Sequence, residues 1–106
     1  MDKETKSYFE EDIITRLQDS KFQTDWIEIS LQDFLKDGNT NTLTRCLTYV
    51  LKAHGTKEIP QIAKSTDMNT NNLYEIMTGK ETPTLDTALK LINSLGYKFD
   101  VKLTTN

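Results

Sequence analysis

A chain of 106 residues with 36% hydrophobic and 27% charged side chains has the size and balance of one globular domain with a modest core. No apolar run nears the ~20 residues that span a bilayer, and the start Met1-Asp2-Lys3-Glu4 lacks a signal-peptide apolar region, so a cytoplasmic location without a membrane partner is expected. A lone Cys46 and a lone His54 exclude an internal disulfide and a Cys/His metal set, and a net charge of −3 is unlike a strongly cationic nucleic-acid binder.

The charge is unevenly spread. Residues 1–38 carry 5 Lys/Arg against 10 Asp/Glu, a balance of −5, whereas residues 39–106 carry 8 against 6, a balance of +2. Two surfaces with different partners would produce this split, and so would ordinary solvation of helices. The chain therefore divides into an acidic helical segment, 1–38, and a remainder, 39–106, expected to fold as one compact unit.

From the N-terminus, Tyr8/Phe9, Ile13/Ile14 and Leu17 recur at helical steps among charges, which predicts a helix over 4–18 that must dock on something to be stable. Asp19-Ser20 offers the cap of a second helix running to Lys36, with a wide apolar arc in which Trp26 and Phe34 are the largest anchors; Gly38 ends it. Asn41 or Thr42 opens a third, with Leu43, Cys46/Leu47, Val50/Leu51 and His54 on one stripe and Gly55 as its stop. Its spacing makes Cys46 a small buried apolar residue rather than a reactive thiol. His54 falls in the last turn, where an imidazolium suits the helix dipole.

Pro60 fits the first turn of a fourth helix, where its missing N–H costs nothing. Ile62, Ala63 and Thr66 share one face of that helix, and Leu73, Ile76 and Met77 share one face of a fifth. Between them Asp67 marks a corner that tolerates left-handed backbone, and Asn69 supplies an N-cap. This spacing predicts a helix-turn-helix over 61–77. Gly79-Lys80-Glu81-Thr82-Pro83 is a loop, and Thr84 caps a sixth helix that Gly96 terminates. Finally Tyr97, Phe99, Val101 and Leu103 alternate with Lys98, Asp100 and Lys102, a period of two that predicts a half-buried strand. An orphan strand in an otherwise helical chain needs another copy to pair with, so these four residues are the expected homodimer contacts. The fold class is thus all-α, with about six helices and a short C-terminal strand.

The second helix of a helix-turn-helix presents its first turn and outer face to the DNA major groove. Here that face holds Thr70, Asn71, Asn72 and Glu75, with Tyr74 beside it; Asn pairs with an adenine edge and Thr offers a hydroxyl or methyl. Asn69, by its cap, and Gln61, on the fourth helix, join the candidate contacts. Lys64 and Lys80, with Lys57 and Lys52, are candidate phosphate partners, and so few cations imply modest affinity unless two subunits bind together. Glu75 would repel phosphate. No paired carboxylates in an apolar setting, Gly-rich phosphate loop or Cys/His cluster emerges, so no enzymatic activity and no cofactor are expected.

At Ile62-Ala63, Met68-Asn69, Leu73, Gly79-Lys80, Pro83, Thr84-Leu85 and Leu95-Gly96 the chain resembles the Xre/Cro–C1 helix-turn-helix superfamily, and within it the addiction-module antidote proteins. Tyr8, Leu17-Gln18-Asp19 and Trp26 to Gly38 extend the resemblance upstream. It implies a lambda-repressor-like domain in a dimeric, type II antitoxin that represses its own operon through double-stranded operator DNA and neutralises a RelE/HigB-like toxin. The family's Arg after the cap is Thr70 here, its Lys after the Tyr is Glu75, and its turn Gly is Asp67. The first two departures remove positive charge from the reading face. Two alternatives stay open: a protein-interaction antidote with little DNA binding, and a stand-alone prophage-type regulator.

Overall fold

A computed structural model describes residues 2–100 and 102–105 of the chain. Six α-helices follow one another: α1 (Asp2–Arg16), α2 (Ser20–Asp37), α3 (Thr40–His54), α4 (Ile59–Thr66), α5 (Thr70–Met77) and α6 (Leu85–Ser94), with a 3-10 turn at Thr56–Glu58 before α4.

Helix ends fall where side chains or backbone freedom satisfy orphan amides and carbonyls. Asp19 accepts from the Phe22 amide at 2.9 Å and starts α2, while Gly38 takes left-handed backbone (φ 68°) and donates its N–H to the Phe34 carbonyl at 2.7 Å. Helix α3 begins at Thr40, one or two residues earlier than the expected opening at Asn41 or Thr42, because Asn39 is the cap and accepts from the Asn41 amide at 3.0 Å. Helix α1 stops at Arg16, short of the expected end at residue 18. The Gln18 and Asp19 amides bond three residues back, which tightens the chain and drops Leu17 into the core with no exposure.

Helix α3 is the hub: α1, α2, α5 and α6 all pack on it. Leu43, Cys46, Leu47, Val50 and Leu51 are its buried residues, matching the apolar stripe in the sequence. Trp26 of α2 lies across it, edge-on to Tyr49 with ring centroids 6.0 Å apart, and its indole N–H donates to the Cys46 carbonyl at 3.4 Å. Trp26 and Phe34, the largest anchors of α2, are half-buried and pack against the core. Tyr8 and Phe9, by contrast, are 73% and 50% exposed, so the apolar stripe of α1 is buried only from Ile13 onward.

Burial fixes the chemistry of Cys46. Desolvation pushes its thiol up from 9.0 to about 11, against the opposing hydrogen bonds of Ser30 and Trp26. The unfolded chain therefore ionises first as pH rises, so this residue's contribution to stability is present below pH 9.0 and is lost through about 11. In urea titrations across that window the wild type should lose stability more steeply than Cys46→Ala; equal slopes would mean the thiol is not desolvated.

The C-terminal segment corrects the expected strand. Among the described residues no strand forms: 97–100 and 102–105 are without regular structure. The alternation is partly real, since Tyr97 and Phe99 are half-buried on this chain's own core while Lys98 and Asp100 face solvent. What is lacking is a backbone neighbour, and period two without a ladder is only an extended strap. Leu103 is 96% exposed, so the pattern lapses there, and Val101 lies outside the described residues. The dimer contacts read from that strand lose their basis, because two of the four residues are packed within one chain.

Among the described residues, no helix is long and apolar enough to cross a membrane, and no group of three or more His, Cys, Asp or Glu residues could hold a metal ion.

Candidate nucleic-acid interface

Helices α4 and α5 pack on each other and are joined by three residues, Asp67 to Asn69. Pro60 occupies the first turn of α4, and Ile59, Ile62, Ala63 and Thr66 form its buried face. Thr66 is a polar residue in that face, and its hydroxyl is satisfied by donating to the Ile62 carbonyl at 2.8 Å. Asp67 is the only non-glycine residue with positive φ among those described, at 56°. Its amide reaches back to the Lys64 carbonyl at 3.4 Å, and the Met68 amide bonds the Ala63 carbonyl at 2.9 Å. This pair of bonds closes α4 on a left-handed residue, which Asp tolerates better than most side chains.

Asn69 then caps α5, its side-chain oxygen accepting from the Asn71 amide at 2.7 Å. One face of α5 is spent on the core through Leu73, Ile76 and Met77. Thr48 of α3 donates its hydroxyl to the Ile76 carbonyl at 2.9 Å, pinning the last turn of α5 to the hub helix. That contact spans 28 residues of chain and left no local signal in the sequence.

The expected reading residues fall mostly where they must to touch a partner. Gln61, Lys64, Asn69, Thr70, Asn71, Asn72, Glu75 and Lys80 are exposed, whereas Tyr74 is half-buried against the core. Glu75 is tied into the fold through its backbone: its carbonyl accepts from the amides of Lys80 at 2.8 Å and Glu81 at 3.2 Å, which sets the loop after α5. Its carboxylate makes no ion pair among the described residues, and neither do Lys57, Lys64 or Lys80. Lys52 differs, being half-buried with its ammonium 4.0 Å from Glu10 and 5.9 Å from the Tyr49 ring centroid, and so is partly committed to α1. The exposed face therefore offers amide and hydroxyl groups, one free carboxylate and a few unpaired ammonium groups. Such a set can make hydrogen bonds to base edges and a small number of phosphate contacts, with one repulsive group among them.

A second polar cluster was not visible in the sequence. Gln23, buried in α2, donates to the Leu17 carbonyl at 2.9 Å, and its oxygen accepts from the Tyr97 hydroxyl at 3.1 Å while facing His54 Nε2 at 3.2 Å. His54 Nδ1 lies 2.9 Å from Glu58. This cluster ties the strap after α6 to α2 and α3. Its members are far apart in the chain, and no spacing rule links them.

A family model described as "Probable addiction module antidote protein" matches residues 10–103 of the chain. No curated protein and no solved structure matches it.

Proposed function

This chain belongs to the probable addiction module antidote proteins, and on that premise we propose that it is a type II antitoxin acting by binding alone, neutralising a toxin and repressing its own operon. An antidote has a toxin as its partner, and the resemblance noted above points to a RelE/HigB-like one. In this reading α4 and α5 are the helix-turn-helix of an Xre/Cro–C1, lambda-repressor-like domain. Helix α5 enters the major groove of operator DNA, with Asn71 and Thr70 toward base edges and Lys64 and Lys80 toward phosphates. The carrying observation is the built turn: left-handed Asp67, the Asn69 cap, and exposed polar side chains over the first turn of α5. With so few unpaired cations per chain, useful affinity calls for two subunits on one operator.

Thr70, Glu75 and a sequence pI near 5.1 favour a second reading, a protein-interaction antidote that has given up most DNA binding. A gel shift with the promoter of its own operon separates the two. The first reading expects a shift at low salt by wild type, weakened roughly five- to a hundredfold by Asn71→Ala, the loss of one good base contact. Absence of any wild-type shift at low salt would leave the antidote role and remove the repressor.

A further inference from the structure

Between α2, α6 and the strap after α6 lies a groove of about 640 Å³ that the α4–α5 face does not use. Ile27 and Ile92 floor it, exposed by only 3% and 1%. Leu31, Leu89 and Phe99 wall it, half-buried, and Leu35 stands at its mouth 69% exposed. This accounts for the wide apolar arc of α2: Trp26 goes to the core on α3, Ile27, Leu31 and Phe34 both pack against the core and line the groove, and Leu35 borders the groove from its exposed position. An isolated exposed leucine is ordinary, but apolar residues gathered around a concavity mark a binding surface.

The rim identifies what fits. Glu28 and Asp100 are exposed there, with Lys98 the single lining cation. Neither acid makes an ion pair among the described residues. Residues 1–38, which include all of α2, carry the −5 balance of the chain. A protruding apolar side chain flanked by Lys or Arg fills the cavity and meets the unpaired carboxylates.

We propose that this groove is the docking site of the toxin, a protein with a basic surface that inserts an apolar side chain between α2 and α6. The proposal rests on the antidote reading above and locates its partner on the face that does not carry the DNA contacts.

The test is calorimetric titration of the full chain with the protein encoded beside it in its operon, at low and moderate salt. Leu35→Lys should weaken binding by about tenfold or more, because it takes apolar surface from the mouth of the groove and sets a cation against a basic partner. Its melting temperature should stay unchanged, because the side chain is mostly exposed. Glu28→Lys should weaken binding chiefly at low salt, where the rim charges act unscreened. If both variants bind as tightly as wild type, the groove is not the docking site and the antidote reading survives. If wild type itself does not bind, both fall together. If the variants instead turn a dimer into a monomer in light scattering while toxin binding persists, the groove belongs to a second copy and the proposal is wrong.

Discussion

A chain carrying Thr70→Arg together with Glu75→Lys should bind a duplex of its own promoter roughly ten- to a hundredfold more tightly than wild type at low salt, with a steeper salt dependence. Both positions are exposed on α5, opposite the buried face of Leu73, Ile76 and Met77, so the fold has no stake in either side chain. Asn69 remains to cap the helix, and Glu75 gives up no ion pair among the described residues. The substitutions remove one repulsive carboxylate and add two cations per subunit. Each new phosphate contact steepens the slope of log affinity against log salt by about 0.9. Fluorescence anisotropy over a salt series measures both quantities. A folded double variant with unchanged affinity and unchanged slope would show that α5 does not face DNA, and would favour the protein-interaction antidote.

The largest effect on stability is expected from Leu47→Ala. Leu47 has no exposure and sits in the middle of α3, the helix on which α1, α2, α5 and α6 all rest. Removing its isobutyl group leaves a cavity that four surrounding helices cannot all close at once, and buried leucines of this kind cost about 2–5 kcal/mol. Domains of this size hold only about 5–15 kcal/mol in total. The melting temperature should therefore fall by roughly 10 °C or more. Leu35→Ala, at a 69% exposed position, serves as the comparison and should stay within about 0.5 kcal/mol of wild type. Equal melting of the two variants would mean that the core is not centred on α3.

Most helix ends were legible because their causes are local. Asp19, Asn69 and Thr84 each place an oxygen near an amide two or three residues on, and Gly38 supplies the left-handed residue that closes α2. The candidate site was legible for the same reason: the residues left over when Leu73, Ile76 and Met77 turn inward are the exposed Thr70, Asn71, Asn72 and Glu75. Tyr74 was less so, because a residue at the edge of a helix face can turn either way and only the neighbours decide.

The strap after α6 misled for a definite physical reason. Alternation of Tyr97 and Phe99 with Lys98 and Asp100 reports that one side of an extended segment is apolar, and this is what the fold displays. It cannot report whether a backbone partner lies alongside, because a ladder is a property of two segments. The burial that Tyr97 and Phe99 needed came from helices, with Gln23 receiving the Tyr97 hydroxyl at 3.1 Å.

By itself, then, the sequence determined the six helices, most of their caps and the left-handed corner at Asp67, since each depends on contacts within about one or two turns of chain, and the apolar stripe of α3 placed Cys46 on its buried side. Tertiary structure alone decided that α3 is the hub, that Thr48 pins α5, that Gln23, His54 and Tyr97 meet, and that part of the apolar arc of α2 borders an open groove. Those outcomes join residues 28 to 74 positions apart. Such contacts are set by how helices pack as bodies, and helical periodicity specifies which side of each helix is apolar without naming the neighbour that will cover it.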